Sequence, residues 1–219
     1  MRPQQHIYVN LSVVIFTIID GELHVLLVER SQEPFLEWRC LPGGYMEDDA
    51  SAEKTIIKKL FLKVGLKNIY LEQYHTFTEP KRDPRYRAIN ISYFSIGTYT
   101  DIKKYSPYGK VDFHPLKKLP RLAFDHQEII RSAYRVLRER LFHSNIAQFF
   151  LPKQFTFKQL KEVYDAILQT SSDVRNFRAH IRSQNIIKTT GKKEQHVAHR
   201  PADLYEFINK TIKVEEYSI

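Results

Sequence analysis

The chain has 219 residues, enough for one large domain or a medium domain with a small appendix; 42% hydrophobic content with 13 Tyr and 14 Phe excludes disorder. A single cysteine excludes an internal disulfide framework. With no membrane-length apolar run and no basic-then-apolar leader, a cytoplasmic protein without membrane attachment is expected. The net charge of +9 speaks to partners rather than fold, and its distribution says more than its size.

From Tyr8 to Val28 the pattern is strand, turn, strand. Leu11 to Ile19 is rich in β-branched and aromatic residues, Asp20-Gly21 is a hairpin turn, and His24 to Val28 resumes the strand. A loop with Pro34 and Trp38 leads to the stretch LPGGYMEDDASAEKTIIKKLFLKVGL, Leu41 to Leu66. Ala52, Ile56, Leu60 and Val64 recur every fourth residue, which predicts an amphipathic helix from about Ser51 to Lys63. Gly65 supplies its left-handed stop. Cys40 reads as a packing thiol rather than a nucleophile. Strands are expected over 69–78 and 88–99, on either side of the charged loop 79–85, and a turn over 103–109 precedes the strand Val111-Asp112-Phe113. Asp125 with Glu128 three positions on predicts a capped second helix reaching about His143, with Ile129, Ile130, Ala133, Val136, Leu137 and Leu141 on its buried side. Residues 1–147 thus read as an α/β (or α+β) domain, a mixed sheet flanked by helices.

The remaining residues, 148–219, follow another pattern. Thr156 and Gln159 form a capping box ahead of Leu160, Val163, Tyr164 and Ile167 at helical spacing. After a turn at 169–172, a second helix from about Asp173 to Ser183 places Val174, Phe177 and Ile181 on one side and Arg175, Arg178 and Arg182 on the adjoining stripe. Ile186 to Thr190 reads as a strand, Gly191-Lys192-Lys193 as a turn, and Leu204 to Phe207 as the returning strand. Helix, turn, helix and basic hairpin is the layout of a winged helix-turn-helix. Between Ser172 and Arg200 there are seven basic residues against two acidic ones. Major-groove readout needs guanidinium or amide groups on a helix and cations for phosphates. Arg175, Asn176, Arg178 and Arg182 meet the first need; Lys192, Lys193 and Arg200 meet the second. A solvated, salt-bridged arginine face is the bland alternative, but this helix offers only Asp173 as a partner. His180, His196 and His199 lack metal-ligand spacing with cysteine.

The stretch from Leu41 to Leu66 resembles a Nudix box, G-x5-E-x7-R-E-U-x-E-E-x-G-U with U aliphatic. Aligned on Gly44 and Gly65 the spacing fits without a gap, yet the acidic position after Gly44 is Ala50. The R-E-U-x-E-E core reads Lys58, Lys59, Leu60, Phe61, Leu62 and Lys63. Nudix hydrolysis needs carboxylates there to hold magnesium, so neither a metal site nor a catalytic residue nor a cofactor is expected. Glu47, Asp48, Asp49 and Glu53 remain nearby, where their charge also suits a positive helix end. The lysines fit a solvated face, or a wall that greets an anionic or hydroxyl-rich ligand.

Both halves together resemble the Nudix-related transcriptional regulators of the NrtR/AraR-like kind. Besides the box, the resemblance rests on Arg82-Asp83-Pro84-Arg85, Leu122-Ala123-Phe124-Asp125-His126, Phe155-Thr156 with Tyr164, Arg175-Asn176-Phe177-Arg178 and Arg200-Pro201-Ala202-Asp203-Leu204-Tyr205. It implies a catalytically degenerate Nudix sandwich that senses a small molecule, and a homodimer whose winged helices read palindromic double-stranded operator DNA. Members with roles in NAD metabolism sense ADP-ribose; a related branch in sugar-utilisation loci senses L-arabinose. Because no ligand carboxylate survives in the core, the expectation leans to a repressor of carbohydrate utilisation released by a sugar such as arabinose, with ADP-ribose as the alternative. A residual hydrolase, or a protein-interaction module in a dead Nudix shell, is a further reading. Trp38, Glu47, Lys59, Arg82 and Asp83 are the expected effector contacts.

Overall fold

The computed structural model describes residues 6–66, 69–96, 105–106, 109–195 and 200–208, with backbone alone at 105, 106 and 109. It divides into two compact units. One gathers His24–Val136 with the strand up to Thr17; the other takes the chain from Leu137 together with Ile18–Leu23.

The first unit is built on most of β1 (Tyr8–Ile19) and β2 (Glu22–Glu29), the turn end of that hairpin, Ile18–Leu23, being counted with the second. Asp20 and Gly21 between them both have positive φ, 49° and 76°, the backbone a twisted two-residue hairpin requires. Short strands β3 (Arg39–Cys40) and β4 (Gly43–Tyr45) pair with β2 and β1. Helix α1 (Ala52–Val64) follows, then β5 (Tyr70–Phe77), β6 (Ala88–Ile96), β7 (Tyr105–Ser106) and β8 (Gly109–Pro115). The main sheet order is β5-β6-β1-β2-β8-β7. It is mixed: β1 runs parallel to β6 from Tyr8↔Ala88 to Phe16↔Ile96, while β2 and β8 are antiparallel.

Helix α1 forms where the four-residue spacing places it. The Ser51 hydroxyl accepts from the Lys54 N–H, and Gly65 closes the helix at φ 76°, its N–H bonded to the Leu60 and Phe61 carbonyls. Ile56, Leu60 and Val64 are fully buried against Leu11, Val13, Ile15, Leu26 and Tyr93 of the sheet. Each such side chain contributes about 1.5–3 kcal/mol of burial free energy. Gly43 has a stricter reason to be glycine: an added Cβ would lie 2.1 Å from the Leu11 carbonyl oxygen, so only a bare backbone lets β4 close on β1.

Helix α2 (His126–His143) buries Ile129, Ile130 and Ala133, and the Tyr74 hydroxyl donates to the Ile129 carbonyl at 2.8 Å. The expected capping box at its start is not formed. The Asp125 carboxylate is taken by Arg82, and the Asp125 backbone carbonyl accepts from Glu128 and Ile129 instead. The expected turn over 103–109 holds strand β7 in its described part, and the end of the expected strand 88–99 lies outside the described residues.

The second unit carries β9 (Phe155–Thr156), α3 (Phe157–Leu168), α4 (Val174–Gln184), β10 (Ile187–Lys193) and β11 (Asp203–Phe207), with sheet order β10-β11-β9. The Thr156–Gln159 capping box is complete. Leu160, Val163, Tyr164 and Ile167 are buried with Phe177 and Ile181, and Tyr164 and Phe157 meet Phe177 edge-on at 5.1 and 5.3 Å. The turn between α3 and α4 is fastened by Asp165, which accepts from Lys161 and from the N–H and hydroxyl of Ser172. The expected turn at Gly191-Lys192-Lys193 is instead the end of β10, which bulges between Thr189 and Lys193 with Gly191 at φ 73°. Among the described residues no helix is long and apolar enough to cross a membrane.

Candidate functional site

The glycine turn at β4, the box helix α1, the loop after β5 and the start of α2 enclose a cavity of about 480 Å³. Asn10, Ser12 and Asn90 give it a polar floor; Asn90 and Ser12 are tied by a 2.8 Å bond. Five cationic side chains line it, Arg30, Lys59, Lys63, Arg82 and Arg85, against two carboxylates, Glu47 and Asp83.

Each cation is held. Arg82, whose side chain is 3% exposed, makes a two-pronged bond to Asp125 at 2.9 and 2.7 Å. Arg85 grips Asp83 in the same way, at 3.0 and 2.8 Å, and stacks on Tyr86 at 4.7 Å. Burial alone would raise the Asp83 pKa; the bonds from the Arg85 side chain and backbone outweigh it and hold the carboxyl below its usual range. Arg30 donates to the carbonyls of Pro34 and Gln32 and lies 4.7 Å over Phe124. Lys63 donates to the Gly43 carbonyl at 2.6 Å. Burial, and then the Lys59 and Arg30 charges, press its pKa below the lysine range. His126 accepts the Leu41 N–H on Nδ1 at 2.9 Å, and burial drives its pKa down to about 3, so the ring is neutral. Burial pushes the Cys40 thiol up, as befits packing rather than nucleophilic chemistry.

Of the expected effector contacts, Glu47, Lys59, Arg82 and Asp83 line the cavity. Trp38 is placed elsewhere: it packs on Phe35 at 4.8 Å and under Arg121 at 3.9 Å. Lys63, which the box reading offers beside Lys59 as a ligand-facing lysine, is on the wall as well; Arg30, Arg85, Phe124 and His126 were not among the expected contacts, although Arg85, Phe124 and His126 stand inside the quoted motifs.

The divalent ion implied by a Nudix box does not fit the residues present. Its carboxylate positions are Lys59, Leu62 and Lys63, all three on the cavity wall. Glu47 is engaged by Lys58 at 3.0 Å and Lys59 at 3.8 Å. Glu53 accepts from the Tyr93 hydroxyl and is held below the usual carboxylate range, chiefly by a backbone N–H. Among the described residues no group of three His, Cys, Asp or Glu converges as a metal seat.

The second candidate surface is α4. Arg175, Asn176, Arg178 and Arg182 are exposed along one face, and Lys192, Lys193 and Arg200 are exposed on the wing. Asp173 caps the helix through the Asn176 N–H at 2.9 Å. Arg178 lies over Phe157 at 5.1 Å. Among the described residues none of the three arginines is paired with a carboxylate, so the salt-bridged alternative fails on geometry. His180 sits edge-on to Phe142, and His196 and His199 lie outside the described residues.

A Nudix domain lined with cations, joined to a winged helix with a bare arginine face, defines the class: a Nudix-domain transcription regulator that binds DNA. Residues 9–133 match the NUDIX domain and residues 147–207 the NrtR DNA-binding winged helix domain. The chain belongs to the NrtR family. It is 28% identical over 204 residues to the ADPR responsive transcriptional repressor NtrR of Acinetobacter baylyi, covering 90% of this chain and 81% of that protein. NrtR of Shewanella oneidensis, solved with a 27mer DNA, is 30% identical with a TM-score of 0.74 over 91% of this chain and 93% of that one. Its NUDIX domain, solved with ADP ribose, is 33% identical with a TM-score of 0.56 over 61% of this chain and 90% of that one. An ADP-ribose pyrophosphatase of Methanocaldococcus jannaschii is 29% identical over 129 residues, 59% of this chain and 76% of that protein. The expectation of an arabinose effector gains no support from these relatives.

Proposed function

We propose that this protein is an ADP-ribose-responsive transcriptional repressor acting in NAD metabolism, working as a homodimer on a palindromic operator. The observation that carries the reading is the cavity wall: five cations, two carboxylates and no convergent carboxylate cluster among the described residues. A diphosphate bears the charge such a wall attracts, and 480 Å³ falls within the usual range for small-molecule sites. An uncharged pentose would gain nothing from the excess of positive charge on this wall. This replaces the sugar expected from the box alone: the lost carboxylates argue against metal, not against phosphate. The relatives named for ADP-ribose support the same choice.

The same wall supports a non-catalytic domain, because hydrolysis by a Nudix box runs through magnesium held on carboxylates. In the proposed mechanism Arg82 and Arg85 orient the phosphates from the loop after β5, and Lys59 and Lys63 meet them from α1. Phe124 offers an apolar face beside Arg30. Effector binding relieves repression because ADP-ribose binds the DNA-incompetent arrangement more tightly; equal affinity for both arrangements would shift nothing. On DNA, α4 enters the major groove with Arg175, Asn176, Arg178 and Arg182, while Lys192, Lys193 and Arg200 meet phosphates.

The test is a thermal-shift titration of the full chain. ADP-ribose is expected to raise the midpoint with concentration while L-arabinose leaves it fixed. A shift with the pentose and none with ADP-ribose would return the reading to sugar sensing. Magnesium-dependent consumption of ADP-ribose in the same mixture would restore the hydrolase.

A further inference from the structure

The three carboxylate positions of the box are all on the cavity wall, and the turn that faces them is fixed by the Gly43 contact with β1. Carboxylates at these positions, with the Gly43 carbonyl, would make a set of hard oxygens around one divalent ion. In this chain the Lys63 Nζ stands 2.6 Å from that carbonyl. Lys59 brackets the same turn, its side chain so close to Gly44 that an added Cβ would meet Cδ at 3.3 Å and Nζ at 3.6 Å. Two ammonium groups thus occupy the ground an ion would take. Burial lowers the Lys63 pKa; the short bond to the Gly43 carbonyl oxygen fixes where its Nζ stands, and a phosphate brought beside it would favour the ammonium form.

We propose that Lys63, seconded by Lys59, is a built-in cation that replaces the divalent metal, so that the cavity binds a diphosphate without magnesium. This rests on the phosphate-ligand reading above and adds to it the element that receives the charge. A fixed ammonium offers donors to a phosphate oxygen but cannot activate water as a bound metal does. It also repels an arriving divalent ion across a few ångströms of partly desolvated space. One pair of substitutions therefore turns the metal's task from reaction to recognition: the seat keeps its positive charge and loses its chemistry.

The experiment is calorimetric titration of the full chain with two probes, ADP-ribose and inorganic pyrophosphate, each in EDTA and in magnesium. The proposal expects both to bind with the same affinity in either buffer. Lys63→Met is expected to weaken both by roughly ten- to hundredfold, the loss of one charge-assisted bond. Lys63→Arg, which keeps a cation, should retain most of the affinity, and circular dichroism checks that each variant is folded. Lys63→Glu should bind the probes better with magnesium than without, a gain that misfolding cannot produce. Wild-type binding that requires magnesium, or Lys63→Met binding as tightly as wild type, overturns the proposal. Binding of pyrophosphate but not ADP-ribose, independent of metal and dependent on Lys63, upholds the built-in cation and sinks the ADP-ribose assignment. Failure of both probes to bind overturns both.

Discussion

Asp125→Ala tests the cavity wall most sharply, because it separates a buried ion pair from a surface one in the same domain. Asp125 accepts from Arg82 Nε and Nη2 at 2.9 and 2.7 Å, and the Arg82 side chain is 3% exposed. The neighbouring Asp83 is already held by Arg85, so the guanidinium has no second carboxylate to turn to. Removing one partner of a buried pair costs about 3–5 kcal/mol, since the other charge stays desolvated. Asp125 is itself 21% exposed, which places the expectation at the lower end, about 3 kcal/mol. At roughly 2–4 °C per kcal/mol for a domain of this size, the first unit should melt roughly 6–12 °C lower. Glu47→Ala is the control: its partner Lys58 is 61% exposed, and such a pair is worth roughly 0–1 kcal/mol. Urea unfolding followed by the fluorescence of Trp38, in the same unit, reads both variants. Arg82→Met combined with Asp125→Ala should recover much of the loss, because no orphan charge remains. A loss below about 1 kcal/mol for Asp125→Ala would refute the claim that this pair is desolvated.

Other outcomes follow from the second unit and from pH. Arg178→Ala should weaken operator binding by about 1–3 kcal/mol if it reads a base, or lower the salt slope by about 0.9 if it meets one phosphate, in fluorescence anisotropy at graded salt. Its melting point should move little, because the lost contact to Phe157 is an exposed cation–π pair worth about 0.5–1 kcal/mol. His126 has its folded pKa depressed to about 3, so its contribution is present above the unfolded value of about 6.5 and is lost as pH falls from there towards 3. Between pH 6.5 and 5 the loss should be about 1.6 kcal/mol, the slope rising from half of about 1.36 kcal/mol per unit at pH 6.5 towards the full value below it. His126→Gln, which keeps an acceptor for the Leu41 N–H, should flatten that dependence; an equally steep profile would assign it to other groups.

Local elements were legible in the sequence where a local rule had no competitor. The four-residue spacing gave α1, Asp20-Gly21 the hairpin, and Thr156 with Gln159 the start of α3. Failures came where a long-range partner claimed the residue. Asp125 has the spacing of a capping residue, but Arg82, 43 positions away, takes its carboxylate. Gly191 reads as a turn, yet pairing of β10 with β11 extends the strand past it and absorbs it in a bulge. The cavity was half visible. Glu47, Lys59, Arg82 and Asp83 follow from their places in the box and the facing loop. Lys63 shares the box position but its burial and its bond to a carbonyl 20 positions away do not show there, and Arg30 does not follow at all, because what matters about it is the carbonyls it meets beside the cavity. The lean towards a sugar has the same origin: absent carboxylates show in a sequence, whereas the gathering of five cations from α1, the residue after β2 and the loop after β5 shows only in the fold.

The central claim is that one ligand, recognised by the cation-lined cavity, releases the arginine-faced helix from DNA. The most direct measurement is the anisotropy of a labelled fragment of the operator region bound by the full chain, titrated with ADP-ribose in EDTA. The account predicts release that saturates with ADP-ribose, is untouched by L-arabinose, and is weakened in Lys63→Met. A complex that stays intact at saturating ADP-ribose, or that the pentose dissolves, would contradict it.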